Sequence, residues 1–265
     1  MNDILQEIAA NKHRELDALY QDVKFREFIK EKAKACNYIP QSISGNIRRS
    51  SDSNFAGIIA EFKRKSPSKG DIAPNSDVAK YIGFYDKGKA SACSVLTDTR
   101  FFGGALTDLS VARSLTKTPL LRKDFIIDEI QISETRIFGA DAILLIASIL
   151  TMSEIKKFTD LAHSLDMEVL FEIHGDDEIE KIYPDVDMIG VNNRKLSSFN
   201  TDVNHSLGII DKLPEGCVYV AESGITTPED IKKLMGVGYQ GFLVGESLMR
   251  SEHPATTLEE FRHAR

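Results

Sequence analysis

Eight short apolar runs, recurring roughly every 25–35 residues with helical patterns between them, restrict this chain to an array of parallel β/α units. They fall at residues 57–62, 92–97, 119–123, 141–146, 168–173, 188–192, 218–222 and 241–245. Eight such units within about 210 residues favour an α/β fold closed into a (β/α)8 TIM barrel. No GxGxxG turn follows the first strand to favour an open doubly wound sheet. Ahead of the barrel, Ile4, Leu5, Ile8, Leu16, Leu19, Tyr20 and Val23 recur at helical spacing, so residues 2–35 read as helical. A Ser/Arg-rich stretch at 41–53 reads as a connector. The expected organisation is one barrel domain over 1–265, with 1–45 as an N-terminal helical extension serving as lid or brace.

Barrels of this kind keep their chemistry at the C-terminal ends of the strands, and an interior layer draws its side chains from alternate strands. The first, third, fifth and seventh strands end in Glu61, Lys123, Glu172 and Glu222. That arrangement caps an apolar interior with four ionisable groups. Buried charges are costly unless paired, so the layer is either an ion-pair network that closes the barrel or a reactive centre. Lys63 lies two residues beyond Glu61 and shares its face. The chain then opens into a basic Ser/Pro/Gly loop, Lys63 to Gly70.

Other elements converge on the same end. Asn192 and Arg194 sit two apart at the mouth of strand six, and a guanidinium fork suits a carboxylate or phosphate. Glu222-Ser223-Gly224-Ile225-Thr226-Thr227-Pro228-Glu229-Asp230 combines a strand end, a small-residue turn and a helix start. Thr227 reads as the cap and Pro228 as the first helical residue. Backbone N–H groups at Ser223 and Gly224 suit a phosphate, and Gly245-Glu246 repeats the device after strand eight. Phe101, Phe102 and Phe125 follow strands two and three, as covers for a planar ligand or as packing under loops.

Composition narrows the field. With 42% hydrophobic and 28% charged residues the chain has material for a sizeable core. No apolar run is long enough to span a bilayer, and the start lacks a basic-then-apolar leader, so a cytoplasmic protein is expected. Cys36, Cys93 and Cys217 are odd in number and far apart, and His163 and His174 lack metal-ligand spacing. No metal and no cofactor are therefore expected. A net charge of −7 disfavours nucleic acid. It leaves room for a small anion, which Lys63, Arg64, Lys65 and Lys69 could draw into a cleft by focusing a local positive field.

Taken together, these segments resemble the indole-3-glycerol-phosphate synthase family of tryptophan biosynthesis. The resemblance runs through Glu61–Gly70, Ser94-Val95-Leu96-Thr97-Asp98 with Phe101-Phe102-Gly103-Gly104, and Leu121-Arg122-Lys123-Asp124-Phe125-Ile126. It continues through Gly139–Leu145, Glu172, Gly190-Val191-Asn192-Asn193-Arg194, Glu222-Ser223-Gly224-Ile225 and Val244-Gly245-Glu246. These blocks lie in order along nearly the whole chain. The resemblance implies a barrel with an N-terminal helical extension. It further implies cofactor-free ring closure, decarboxylation and dehydration of 1-(2-carboxyphenylamino)-1-deoxyribulose 5-phosphate.

By match of motif, Lys123 would be the general acid on the ketone oxygen. Lys63 would hold the anthranilate carboxylate and donate a proton during dehydration, and Glu172 and Glu61 would be bases or proton shuttles. Asn192, Arg194 and Glu222 would position the sugar portion and the lysines. Ser66, Lys69, Ser223, Gly224, Gly245 and Glu246 would form the phosphate site, Glu246 through its backbone. Phe125, Leu144 and Leu196 would form the apolar slot for the aromatic ring. With no second barrel behind residue 265 the enzyme would be monofunctional. The expected partner is the phosphosugar substrate, not nucleic acid or membrane, and the chain is expected as a monomer with at most weak self-association. Rival readings are a Schiff-base aldolase on Lys123 or Lys63, a phosphoribosyl isomerase, and a non-catalytic phosphosugar sensor.

Overall fold

A computed structural model describes residues 4–194 and 200–264. Eight parallel strands close into a barrel in chain order: β1 (Gly57–Phe62), β2 (Ala92–Leu96), β3 (Leu120–Lys123), β4 (Ala142–Ile146), β5 (Glu168–Ile173), β6 (Met188–Asn192), β7 (Val218–Glu222) and β8 (Gly241–Val244). Each lies within a residue of its expected bounds. Closure comes from β1 pairing with both β2 and β8, with Ile59 opposite Ala92 on one side and Leu243 on the other. A closed barrel leaves no unpaired strand edge.

Two apolar cores result. One fills the barrel and includes Ile59, Leu121, Leu170 and Val220. The other lies between the strands and the outer helices, around residues such as Phe62, Tyr85, Phe171 and Phe242. Among the described residues, no helix is long and apolar enough to cross a membrane.

The N-terminal segment differs from the expectation in two ways. The helical stretch breaks into α1 (Ile4–Tyr20) and α2 (Val23–Lys34), because Asp22 stops one helix and caps the next by accepting from Phe25 N at 2.9 Å. The stretch read as a connector is a helix, α3 (Ile43–Asp52), capped by Ser42. Its register is set from outside: the Glu168 carboxylate, at the start of β5, accepts from Ile43 N at 2.8 Å and Ser44 N at 2.9 Å. Ile43 and Ile47 are fully buried and belong to the barrel-interior core, so α3 plugs the end opposite the strand C-termini. Ile47→Ala should therefore cost ~2–5 kcal/mol, the usual range for truncating a packed Ile. Thermal unfolding should show a midpoint lower by several degrees with kcat unchanged, because the plug is remote from the strand C-termini.

Candidate active site

The interior residue two before each odd-strand terminus is apolar: Ile59, Leu121, Leu170 and Val220. The next inward position carries the ionisable group, so the same period that fills the barrel delivers Glu61, Lys123, Glu172 and Glu222 to its mouth. Lys123 Nζ lies 2.7 Å from Glu172 Oε2 and 3.2 Å from Glu222 Oε2. Lys63 pairs with Glu61 Oε1 beside them. The two carboxylates flanking Lys123 are almost fully buried.

Their protonation differs. Burial pushes both carboxyls up. Lys123 and His174 more than offset this at Glu172 and hold it well below the usual carboxylate range. At Glu222, burial and the negative charge of Glu172 outweigh Lys123 and push it up to about 8. Burial also works against the Lys123 ammonium, but Glu172, Glu222 and Glu61 overcome it and hold the lysine charged. The cluster is an ammonium, a carboxylate and a carboxylic acid in contact. It can give a proton, take one, and neutralise charge developing on oxygen.

The four residues open into a cavity of about 560 Å³, a size suited to a drug-sized ligand. Lys63, Ser66, Lys69, Phe125, Leu144, Asn192, Arg194, Ser223, Gly224, Gly245 and Glu246 line it as well. Of the residues expected at the site, Leu196 lies outside the described residues. Asn192 Oδ1 accepts from Arg194 N at 3.0 Å, and Arg194 Nη1 reaches Ser68 Oγ across the mouth. Ser223 and Gly224 both adopt left-handed backbone, at φ 65° and 75°. A serine held there is strained, and such strain clusters at sites that display backbone to a ligand. The turn then enters the Pro228–Gly236 helix through the Thr227 cap, as its sequence signals. Glu246 Oε1 accepts from Arg250 Nε at 3.0 Å, so its carboxylate is tied to a cation of its own helix.

Two of the four loop cations are not where the sequence reading put them. Arg64 forks onto Asp108, at 2.6 and 3.1 Å, and Lys65 donates to the Arg100 carbonyl at 2.7 Å. Neither lines the cavity; Lys63 and Lys69 do, together with Arg194 and Arg250.

Three features were not read from the sequence. Ile4, Leu5 and Ile8 of α1 line the cavity, so the extension forms part of its wall. Lys12 fastens that wall: its Nζ lies 3.1 Å from Asp98 Oδ2 and 2.9 Å from Asp124 Oδ1, next to Lys123. Burial opposes the Asp124 charge, but Arg122 and Lys12 prevail and bring its carboxyl down to about 2. Phe102, already read from the sequence as a cover for a planar ligand or as packing, joins Phe125 at the cavity, with ring centroids 5.9 Å apart. Third, His174 lines the cavity two residues beyond Glu172, with Nε2 3.2 Å from Glu172 Oε1. The available signal was its i+2 spacing from Glu172.

Comparison with known proteins agrees with this geometry. The family model "Indole-3-glycerol phosphate synthase" matches residues 5–261. An indole-3-glycerol phosphate synthase of Bacteroides thetaiotaomicron is 45% identical, over 100% of this chain and 99% of that relative. One of Koribacter versatilis is 40% identical over 98% of this chain and 99% of that protein. Among solved structures, tryptophan synthase subunit alpha of Legionella pneumophila shares the fold, with a TM-score of 0.62 at 11% identity, covering 84% of this chain and 97% of that one. On the full-length match and the sequence identity, the chain belongs to the indole-3-glycerol phosphate synthase family, carboxy-lyases of tryptophan biosynthesis.

Proposed function

We propose that this chain converts 1-(2-carboxyphenylamino)-1-deoxyribulose 5-phosphate to indole-3-glycerol phosphate by general acid–base catalysis at the barrel mouth. The observation that carries the reading is Lys123 suspended between Glu172 and Glu222 at the base of the cavity. In ring closure, the ring carbon bearing the carboxylate attacks the ketone carbon, and Lys123 gives its proton to the ketone oxygen. The electron pair of the carboxylate bond then returns to the ring as carbon dioxide leaves, restoring aromaticity. In dehydration, Lys63 protonates the departing hydroxyl. Glu172, or Glu61 paired with Lys63, takes the proton from the neighbouring methylene.

The remaining lining residues sort by chemistry. Before it protonates the departing hydroxyl, Lys63 holds the substrate carboxylate. Phe125 and Leu144 offer apolar surface to the ring, and Phe102 extends it. Asn192, Arg194 and Glu222 address the sugar hydroxyls and orient the lysines. Ser66, Lys69, Ser223, Gly224, Gly245 and the Glu246 backbone receive the phosphate. This division puts the anion among cations and N–H groups and the ring among apolar ones, as desolvation demands.

The chain contains no tryptophan, so indole fluorescence must come from product. Mixing enzyme with the carboxyphenylamino-deoxyribulose phosphate should give a fluorescence rise with release of carbon dioxide. A flat trace from folded protein would defeat the assignment in favour of a phosphosugar sensor. Borohydride added during turnover should leave Lys123 and Lys63 unmodified; a reduced lysine adduct would mean Schiff-base chemistry instead.

A further inference from the structure

The reaction proposed above takes up a proton. Two protons enter, one on the ketone oxygen and one on the departing hydroxyl, and one leaves from the methylene. Written from the carboxylate, substrate plus one proton gives product, carbon dioxide and water. A lysine at the base of an occupied cavity therefore needs a source of protons other than the blocked mouth.

We propose that His174 is that source: a relay residue that returns a proton to Lys123 through Glu172 and is recharged by way of Glu178. The inference rests on the acid–base role of Lys123 proposed above. Glu172 bridges the two groups with different oxygens, Oε2 toward Lys123 at 2.7 Å and Oε1 toward His174 Nε2 at 3.2 Å. On the far side of the imidazole, Nδ1 lies 3.7 Å from Glu178 Oε2. That oxygen is anchored at 2.6 Å by the His174 backbone N–H, which fixes the acid beside the ring. The path thus runs Lys123, Glu172, His174, Glu178, from β3 through β5 into the turn that follows it. Lys123 and Glu172 are hydrogen-bonded. The two ring nitrogens of His174 make no hydrogen bond in the resting site and must close on their carboxylates before a proton passes. The groups facing the imidazole are Glu172 from β5 and Glu178 from its own turn; Lys123 reaches it only through Glu172.

The charge state suits a donor. Burial lowers the proton affinity of His174, but Glu172 and Glu178 outweigh it and push it up to about 9. At neutral pH the imidazolium is in place before each turnover. Once Nε2 passes its proton to Glu172, the ring is neutral with its remaining proton on Nδ1. Exchange of that tautomer to Nε2–H frees Nδ1 to take a proton by way of Glu178, and no net charge stays behind. An ordinary structural histidine would serve with one carboxylate. This one lies between a carboxylate in contact with the acid lysine and a second one on its other side.

The test is kcat and KM of His174→Asn and His174→Ala across pH 6–9, in dilute buffer and with added imidazole. Both variants should lose roughly tenfold in kcat, less than the roughly hundredfold or more of a group that transfers its proton directly to substrate, with KM within about twofold. Added imidazole should restore most of the loss in His174→Ala, and the solvent isotope effect on kcat should rise in both variants. Wild-type kcat in His174→Asn would overturn the relay, as would a loss that imidazole and buffer concentration leave untouched. Should either His174 variant fail to fold, Glu178→Gln keeps the ring and should itself lower kcat several-fold with the same buffer dependence; wild-type, buffer-independent turnover there refutes the path. Lys123→Met separates the two levels: turnover in that variant defeats the acid–base reading itself. A dead Lys123→Met beside an unaffected His174→Asn defeats only the relay.

Discussion

Lys123→Met is expected to lower kcat by about a thousandfold or more, because it removes both the acid and the cation that stabilises charge on the ketone oxygen. Steady-state indole fluorescence measures it directly, and turnover within tenfold of wild type would refute Lys123 as the acid. The variant should still fold, with a stability deficit that depends on pH in a set direction. In the intact site Glu222 already titrates near 8, and Glu172 is held low chiefly by Lys123. Removing the ammonium leaves only His174 to oppose burial at Glu172 and nothing to oppose it at Glu222. Both folded pKa values therefore rise, that of Glu222 still further above the unfolded value of about 4.3. The folded state then binds more protons than the unfolded one, and stability falls as pH rises through the folded values. The deficit relative to wild type should be small at pH 5 and larger at pH 8. Thermal midpoints at the two pH values measure this, and a deficit that shrinks toward high pH would contradict the charge assignment.

Elements set by local periodicity were legible in the sequence, and those set by distant contacts were not. The strands were legible because their apolar runs are imposed by burial, and the charges ending odd strands stood out against them. Period two also bears on the loop cations: Glu61 and Lys63 face inward together, and the same alternation sends Arg64 the other way, onto Asp108. Treating Lys63, Arg64, Lys65 and Lys69 as one cluster counted neighbours in sequence as neighbours in space. Helix α3 was illegible for another reason. Its sequence offers only Ile43 and Ile47 as apolar anchors, and the groups that fix its start come from Glu168, over a hundred residues later in the chain. The α1 wall of the cavity and its Lys12 fastening to Asp98 and Asp124 are likewise tertiary. His174 fell between these cases: its spacing from Glu172 was visible, but its partner Glu178 emerges only from the turn that follows β5.

Gly190→Ala should be strongly damaging although it lies outside the ionisable cluster. Gly190 lies on β6 in register with Glu172 on one neighbouring strand and Val220 on the other. A methyl group there would come within 2.2 Å of Glu222 Oε1, 3.2 Å of its carboxyl carbon and 3.3 Å of Leu170 Cδ1. Glu222 is nearly fully buried and already in contact with Lys123, so it has little room to yield except by moving relative to the lysine. Displacement by about an ångström at a reacting centre can cost on the order of a hundredfold, and overpacking a core adds ~1–3 kcal/mol of instability. We expect kcat to fall ~10–100-fold with a thermal midpoint only several degrees lower. The cause can be isolated by a double-mutant cycle with Glu222→Ala, which removes the clashing atoms. In that background the methyl group should cost much less stability than in the intact enzyme, a coupling expected only of groups in contact. Gly208→Ala supplies the control, since a methyl group there meets nothing within 4 Å and should leave kcat unchanged. Wild-type kcat in Gly190→Ala, or equal stability costs with and without the Glu222 carboxylate, would mean that the cluster tolerates displacement of Glu222 and that its contact with Lys123 is not what sets the rate.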